Sequence, residues 1–127
     1  MGLQDLFGKC GRKYPKNSII CRDKETGKEM FIILSGQVKI YKQGPPPHYR
    51  INTIATVGPG DFFGEMSLLE DLPRYANAQA ITEVNVLVID LEILKQILKM
   101  QPEFAIKILQ KLSKRIRKLD DMIIFNK

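Results

Sequence analysis

Short apolar runs separated by turn residues dominate the N-terminal part of the chain. Met30–Leu34 and Val86–Ile89 are continuously apolar, whereas Gln37–Tyr41 alternates polar and apolar side chains. Runs of this length bounded by Gly, Pro, Asn and Ser are typical of β-strands. The strands predicted in this way, in chain order, are 19–21, 30–34, 37–41, 49–57, 76–80 and 86–89.

The connections between these strands carry turn chemistry. Ser35-Gly36 predicts a tight turn, and Lys24–Glu29 is polar and predicts an exposed hairpin loop. Gly44–Pro47 is interpreted as a hairpin tip, because proline cannot donate a hydrogen bond within a sheet.

A helical period replaces the strand pattern after Asp90, which is a candidate helix N-cap. A first helix is predicted from Leu91, and Pro102 suits the first turn of a second helix that runs to about Ile123. Apolar residues recur along the second helix at the spacings of a heptad seam. They are Ala105, Leu109, Leu112, Ile116, Leu119 and Ile123.

The N-terminus carries a weaker helical stripe. Leu3, Leu6, Phe7 and Cys10 share one helical face, and this predicts a short helix that ends near Gly11. Short strands followed by late helices predict an α+β protein that is mainly β: an antiparallel double-sheet barrel with helices at its end. We expect one domain over 1–127, divided into a helical segment 1–13, a barrel 14–89 and C-terminal helices 90–125.

Composition narrows the class of protein. The 127 residues are 44% hydrophobic and 27% charged, as in an ordinary globular domain. The chain has no secretory signal and no apolar run of ~18 residues, so we expect no membrane span, a cytoplasmic location and free thiols at Cys10 and Cys21. His48 is the only histidine, and the sequence offers no nucleophile–base pair or metal-ligand cluster, so we do not expect an enzyme.

The net charge of +6 would suit nucleic acid or an anionic membrane surface. Much of the excess lies on the last predicted helix, where a solvated face is the commoner cause. We therefore do not expect nucleic acid as a partner.

The stretch from Gly60 to Leu69, with Arg74 after it, concentrates the chemistry that could hold a ligand. Glycine lets the backbone approach a ligand closely, and a guanidinium matches a phosphate in charge and shape. A carboxylate such as Glu65 accepts hydrogen bonds from sugar hydroxyls. These residues could hold a phosphorylated sugar, or Arg74 and Glu65 could simply pair with each other. The apolar residues of the stretch, Phe62, Phe63, Leu68 and Leu69, are expected in the core more than in contact with a ligand.

Two motifs carry a resemblance to a known family. Phe63-Gly64-Glu65-Met66-Ser67-Leu68-Leu69, followed by Pro73-Arg74-Tyr75-Ala76-Asn77-Ala78-Gln79-Ala80, resembles the phosphate-binding cassette of the cyclic-nucleotide-binding domain, the sensor domain of the catabolite activator protein and protein kinase A regulatory subunit type. Residues 30–40 resemble the sheet-and-turn signature of the same family. The resemblance covers about 14–122 and implies a jelly-roll barrel with a long C-terminal helix. No helix-turn-helix module follows that helix, so we expect no DNA-binding domain.

The resemblance implies the ligand and its contacts. The ligand would be cyclic AMP or cyclic GMP, with no further cofactor; Arg74 would pair with the cyclic phosphate and Glu65 would accept from the ribose 2′-hydroxyl. The implied ligand-binding set is Phe63, Gly64, Glu65, Met66, Ser67, Arg74, Tyr75 and Ala76. The base is capped by the last helix in some relatives, and the candidates here are Arg115, Leu119 and Asp120.

The sequence departs from the family pattern at two positions. Tyr75 stands where the family usually carries Ala, Ser or Thr, and Asn77 replaces a usual Thr or Ser. Two functions follow as hypotheses. One is a sensor in which ligand repositions the C-terminal helix, as a homodimer through that helix or with an effector protein. The other is a nucleotide-free dimerisation scaffold whose pocket is filled by Tyr75.

Overall fold

The computed structural model of the chain describes residues 8–125, with side chains to residue 121. These residues form two compact units, one ending at Leu91 and the other beginning at Glu92, and each is described here by itself. The predicted helical positions Leu3, Leu6 and Phe7 lie outside the described residues. The single domain over 1–127 stays a prediction.

Between residues 11 and 90, the first unit contains eight strands and one short helix. The strands are β1 (Gly11–Tyr14), β2 (Ile19–Cys21), β3 (Met30–Ser35), β4 (Val38–Gln43), β5 (Ile51–Val57), β6 (Phe62–Phe63), β7 (Asn77–Ala80) and β8 (Val84–Ile89). The helix, α1, spans Glu65–Glu70 between β6 and β7.

The strands form two four-stranded antiparallel sheets, in the orders β1-β8-β3-β6 and β2-β7-β4-β5. Ile32 lies opposite Leu87 in the first sheet, and Ile40 lies opposite Ala78 in the second. The predicted antiparallel double-sheet architecture is confirmed.

The core lies between the inward faces of the two sheets. Ile33, Val84 and Val86 from the first sheet and Val38 and Ala80 from the second are almost completely buried. Burying one such aliphatic side chain contributes roughly 1.5–3 kcal/mol. These contacts fix the positions of the loops that leave the strands.

The two cysteines of the chain are free and buried. Cys21 belongs to this core, and burial raises the pKa of its thiol. The neutral thiol is therefore the form that the folded chain favours.

Two predicted boundaries are wrong at the N-terminal edge of the first sheet. Residues 11–13, placed in a helical segment, belong to β1, and only residues 8–10 of the described chain are helical there. The strand β8 begins at Val84 rather than Val86, and Val84 pairs with Tyr14. Residues 11–14 form a strand because they pair with β8, and this distant partner cannot be deduced from the local spacing of apolar residues.

The segment 22–29 is exposed along most of its length, as predicted, but it is not a hairpin loop. Strand β2 lies in one sheet and β3 in the other, so the segment crosses between the sheets. The turn at Gly36 also joins the two sheets, since β3 and β4 are in different sheets. By contrast, β4 and β5 pair directly, which confirms the hairpin tip at Gly44–Pro47.

The second unit contains helix α2 (Leu91–Met100), except for its first residue, and helix α3 (Glu103–Phe125). Helix α2 buries Leu94 and Ile97. The heptad seam of α3 exposes Leu109, Ile116 and Leu119, each by about 60%. No described helix is long and apolar enough to cross a lipid bilayer.

Candidate functional site

Gly64 is the single residue between β6 and α1, and its backbone is left-handed at φ 81°. A Cβ at this position would lie 2.8 Å from Nη1 of Arg74 and 3.1 Å from the carbonyl oxygen of Glu29. Both the backbone conformation and the close approach therefore require glycine here. Helix α1 starts at the next residue, Glu65.

Buried polar side chains are confined to this region of the described chain. Glu65, Ser67 and Arg74 are the buried polar or charged residues between 8 and 121, with exposures of 8%, 2% and 6%. All of them belong to the predicted ligand-binding set. Burying a charged group is costly unless something compensates for it, and this cost makes the cluster the candidate functional site of the described residues.

The guanidinium of Arg74 lies against neutral groups. Its Nη1 donates to the carbonyl oxygens of Glu29 at 2.6 Å and Gly64 at 3.1 Å. Its Cζ lies 5.4 Å from the centre of the Phe31 ring, within the range of a cation–π contact. Nε is buried without a hydrogen-bond partner among the described residues. A cation held in this way still has hydrogen-bonding capacity for an anion.

The crossing segment 22–29 holds the backbone of Arg74 as well. The N–H of Lys24 donates to the Arg74 carbonyl at 2.7 Å, and the N–H of Arg74 donates to the Glu25 carbonyl at 2.9 Å. The side-chain Oδ1 of Asn77 accepts from the N–H of Asp23 at 2.9 Å. Asn77, one of the two departures from the family pattern, thus fastens the crossing segment to β7.

Sequence reasoning missed the contribution of the crossing segment. Arg74 is held by residues that come about 45 positions earlier in the chain. The carbonyls of Glu25 and Glu29 accept its hydrogen bonds, and the backbone of Gly27 approaches its guanidinium closely. The signal that the sequence did contain is Gly27, a glycine within an otherwise polar stretch.

The aromatic residues of the motif belong to the core, as predicted. Phe62 and Phe63 are buried, and the Phe63 ring stacks on Phe31 with centroids 4.9 Å apart. Leu68 is buried too, but Leu69 is exposed, so its placement in the core was wrong. Leu69 is three residues from Met66, and both lie on the outer face of α1.

Tyr75 does not fill the interior beside Arg74. The residue is 45% exposed, and Nζ of Lys42 on β4 lies 5.9 Å from its ring centre. Lys42 also pairs with Asp23 at 3.7 Å. The following residue, Ala76, is buried, so successive residues of this extended segment point to opposite sides.

The predicted base-cap residues Arg115, Leu119 and Asp120 lie on α3 in the second unit. Their role stays a prediction. Within the described residues, no cluster of three or more His, Cys, Asp or Glu side chains could hold a metal ion.

Comparison with known proteins identifies the family. Residues 11–101 match the profile of the family described as Cyclic nucleotide-binding domain. A CRP-like cAMP-activated global transcriptional regulator of Mycobacterium tuberculosis is 32% identical over 108 residues, covering 85% of this chain and 47% of that protein. A cAMP-dependent protein kinase regulatory subunit of Aspergillus fumigatus is 38% identical over 77 residues, covering 58% of this chain and 17% of that protein.

The fold agrees with a solved structure. The crystal structure of Thermus thermophilus catabolite activator protein matches with a TM-score of 0.78 and 27% identity, over 93% of this chain and 55% of that one. The predicted jelly roll is therefore confirmed. The chain spans about half the length of these two regulators and less of the kinase subunit. Because the family profile covers well over half of its residues, the chain belongs to the cyclic nucleotide-binding domain family.

Proposed function

We propose that this domain is a cyclic-nucleotide sensor, with cyclic AMP as the first candidate ligand and cyclic GMP as the second. The observation that carries the proposal is the buried guanidinium of Arg74, whose Nε has no hydrogen-bond partner among the described residues. An unsatisfied buried donor costs about 1–3 kcal/mol, and an anionic ligand would recover that cost. The cyclic phosphate is the anion that the family membership suggests.

The cyclic phosphate would bind Arg74 through Nε and Nη2. Nη1 is already used by the carbonyls of Glu29 and Gly64, so the opposite edge of the guanidinium is left for the ligand. Two parallel N–H donors on this edge suit two oxygens of one phosphate. Because Gly64 has no side chain, the ligand could approach the backbone beside Arg74 closely.

The ribose would lie beside Glu65. This carboxylate is buried in the first turn of α1, directly after Gly64. A carboxylate in this position would accept the 2′-hydroxyl hydrogen. The rest of the ligand-binding set follows as part of the proposal: Phe63, Met66, Ser67, Tyr75 and Ala76.

Cyclic AMP takes precedence because both curated relatives described above carry it in their names. The exposed ring of Tyr75 favours the sensor over the scaffold hypothesis, which needed this ring inside the pocket. Base contacts from Arg115, Leu119 and Asp120 belong to the same proposal.

The sensor would act through a conformational change rather than through catalysis. Ligand would tighten the cassette and reposition α3, to the extent that it binds one arrangement better than the other. The exposed seam at Leu109, Ile116 and Leu119 suits a homodimer or an effector protein. We place this non-enzymatic function in the cytoplasm.

The deciding experiment is a calorimetric titration with cyclic AMP and cyclic GMP in parallel, with 5′-AMP as the uncyclised control. We expect at least one cyclic nucleotide to bind with micromolar or better affinity and to raise the melting temperature. A ligand at a hundredfold its Kd stabilises the folded state by about 2.7 kcal/mol, which a thermal melt detects. If neither nucleotide binds or shifts the melt, the sensor proposal is rejected.

A substitution at Glu65 tests the ribose contact. We expect Glu65→Gln to weaken cyclic AMP binding by about 1 kcal/mol or more, roughly fivefold, because the charged acceptor of the 2′-hydroxyl is lost. With 2′-deoxy cyclic AMP the same substitution should have little effect, since that ligand lacks the hydroxyl. Calorimetry with both ligands measures the difference. Glu70→Gln, at the exposed end of the same helix, is the matched control. An equal loss for both ligands would contradict the assignment.

A further inference from the structure

Gly27 is a glycine whose backbone does not require one. The glycines with positive φ are Gly36, Gly60 and Gly64, whereas Gly27 takes a φ that any L-residue can adopt. The reason for glycine at this position therefore lies in its surroundings rather than in its conformation.

Those surroundings are the guanidinium of Arg74. A Cβ built on Gly27 would lie 2.5 Å from Nε, 2.5 Å from Nη2 and 2.6 Å from Cζ. Non-bonded heavy atoms prefer about 3.5–4.0 Å, so the two groups could not keep their places. Because the three distances are nearly equal, the added atom would lie over the face of the guanidinium rather than in line with its N–H bonds.

The other contacts of the guanidinium leave it little freedom. Nη1 is held by the carbonyls of Glu29 and Gly64, and the ring of Phe31 lies 5.4 Å from Cζ. A Cβ on Gly27 would overlap only the end of the Arg74 side chain and no backbone atom. The barrel could therefore still fold with alanine at 27, but the guanidinium would have to leave the contacts that now hold it.

We propose that Gly27 is a positioning residue of the nucleotide site: the missing side chain keeps open the space in which the guanidinium of Arg74 lies. The inference rests on the proposed function, because it assumes that Nε and Nη2 of Arg74 bind the phosphate and that the crossing segment 22–29 holds them in position. A guanidinium pushed from this space loses its 2.6 Å hydrogen bond to Glu29 and presents Nε and Nη2 in another direction. Affinity depends on such preorganised geometry.

The first test is the affinity of Gly27→Ala for cyclic AMP. We expect it to bind about tenfold more weakly than the parent chain, with Gly27→Val weaker still, because losing one charged hydrogen bond costs about a factor of ten. Gly44→Ala is the matched control. A Cβ at Gly44 makes ordinary contacts of 3.5 Å or longer with Arg50, so its affinity should equal that of the parent. Parent-like affinity in Gly27→Ala would overturn the inference.

The second test needs no ligand. Gly27→Ala should lower the melting temperature of the parent chain but not of an Arg74→Ala variant, in which the overlap no longer exists. If Gly27→Ala lowers the melting temperature equally in the parent chain and in the Arg74→Ala variant, the glycine is needed for the conformation of segment 22–29 and not for Arg74. That result would overturn the inference. If the parent chain binds neither cyclic nucleotide, the proposed function fails, and this pair of melts alone decides whether Gly27 positions Arg74.

Discussion

Arg74→Ala is expected to weaken cyclic AMP binding by about tenfold to a hundredfold, as the loss of a charged hydrogen-bonding partner implies. The guanidinium is buried, and its Nε has no partner among the described residues, so the contact with phosphate would be shielded from water. Shielding strengthens a charged hydrogen bond. Arg74→Lys should fall between the parent and the alanine variant, because it keeps the charge but not the pair of parallel donors. Calorimetric titration of the three proteins measures the series.

The control is Arg50→Ala, an exposed arginine at the β4–β5 hairpin. It changes the net charge by the same amount as Arg74→Ala, so a general electrostatic effect would appear in both variants. Circular dichroism spectra of all variants verify that the barrel has formed. If Arg74→Ala folds and binds as tightly as Arg50→Ala, the phosphate contact has been assigned to the wrong residue.

Gly36→Ala is expected to lower the free energy of unfolding by about 2 kcal/mol or more. Gly36 has φ 93°, a conformation that costs an L-residue about 1–2 kcal/mol. A Cβ there would also overlap the backbone carbonyl oxygen of Glu83, which cannot move aside as a side chain can. The turn at Gly36 joins the two sheets, and its neighbour Gln37 bonds to Ile81 and Thr82 across the same end of the barrel. The strain would therefore spread to both sheets.

Urea unfolding followed by circular dichroism measures this loss. Gly44→Ala is again the control, and its stability should stay within about 0.5 kcal/mol of the parent, as is usual for a surface substitution. Equal midpoints for Gly36→Ala and Gly44→Ala, with equal urea dependence, would show that neither the backbone conformation nor the overlap matters.

The sequence predicted those parts of the site that are contiguous along the chain. Gly64, Glu65 and Arg74 lie within one short stretch, so their types and spacing could be interpreted together. Their burial could not be deduced from this pattern, because a lone arginine or glutamate is usually exposed. The antiparallel sheets were predictable from the short apolar runs, which alternate with turn residues.

The partners of Arg74 from the crossing segment could not be predicted in the same way. Glu29 and Gly27 come into contact with Arg74 only because β2 and β3 lie in different sheets. The order of strands in the sheets cannot be deduced from a local sequence pattern. The strand at residues 11–14 was missed for a related reason: its partner β8 decides its structure. Leu69 was misplaced because α1 is short and its outer face is exposed, although the run Leu68-Leu69 is uniformly apolar.

The hydrogen bond from Arg74 to Glu29 joins residues 45 positions apart, and that from Asp23 to Asn77 joins residues 54 positions apart. Closing loops of this size costs entropy that the contacts have to offset, and neither pair can form before the residues between its members have been made. During synthesis, the crossing segment leaves the ribosome long before the residues that it must hold. A nascent or truncated chain that ends before Arg74 would therefore lack the guanidinium of the proposed anion site, and any nucleotide affinity would arise only after that residue has been made.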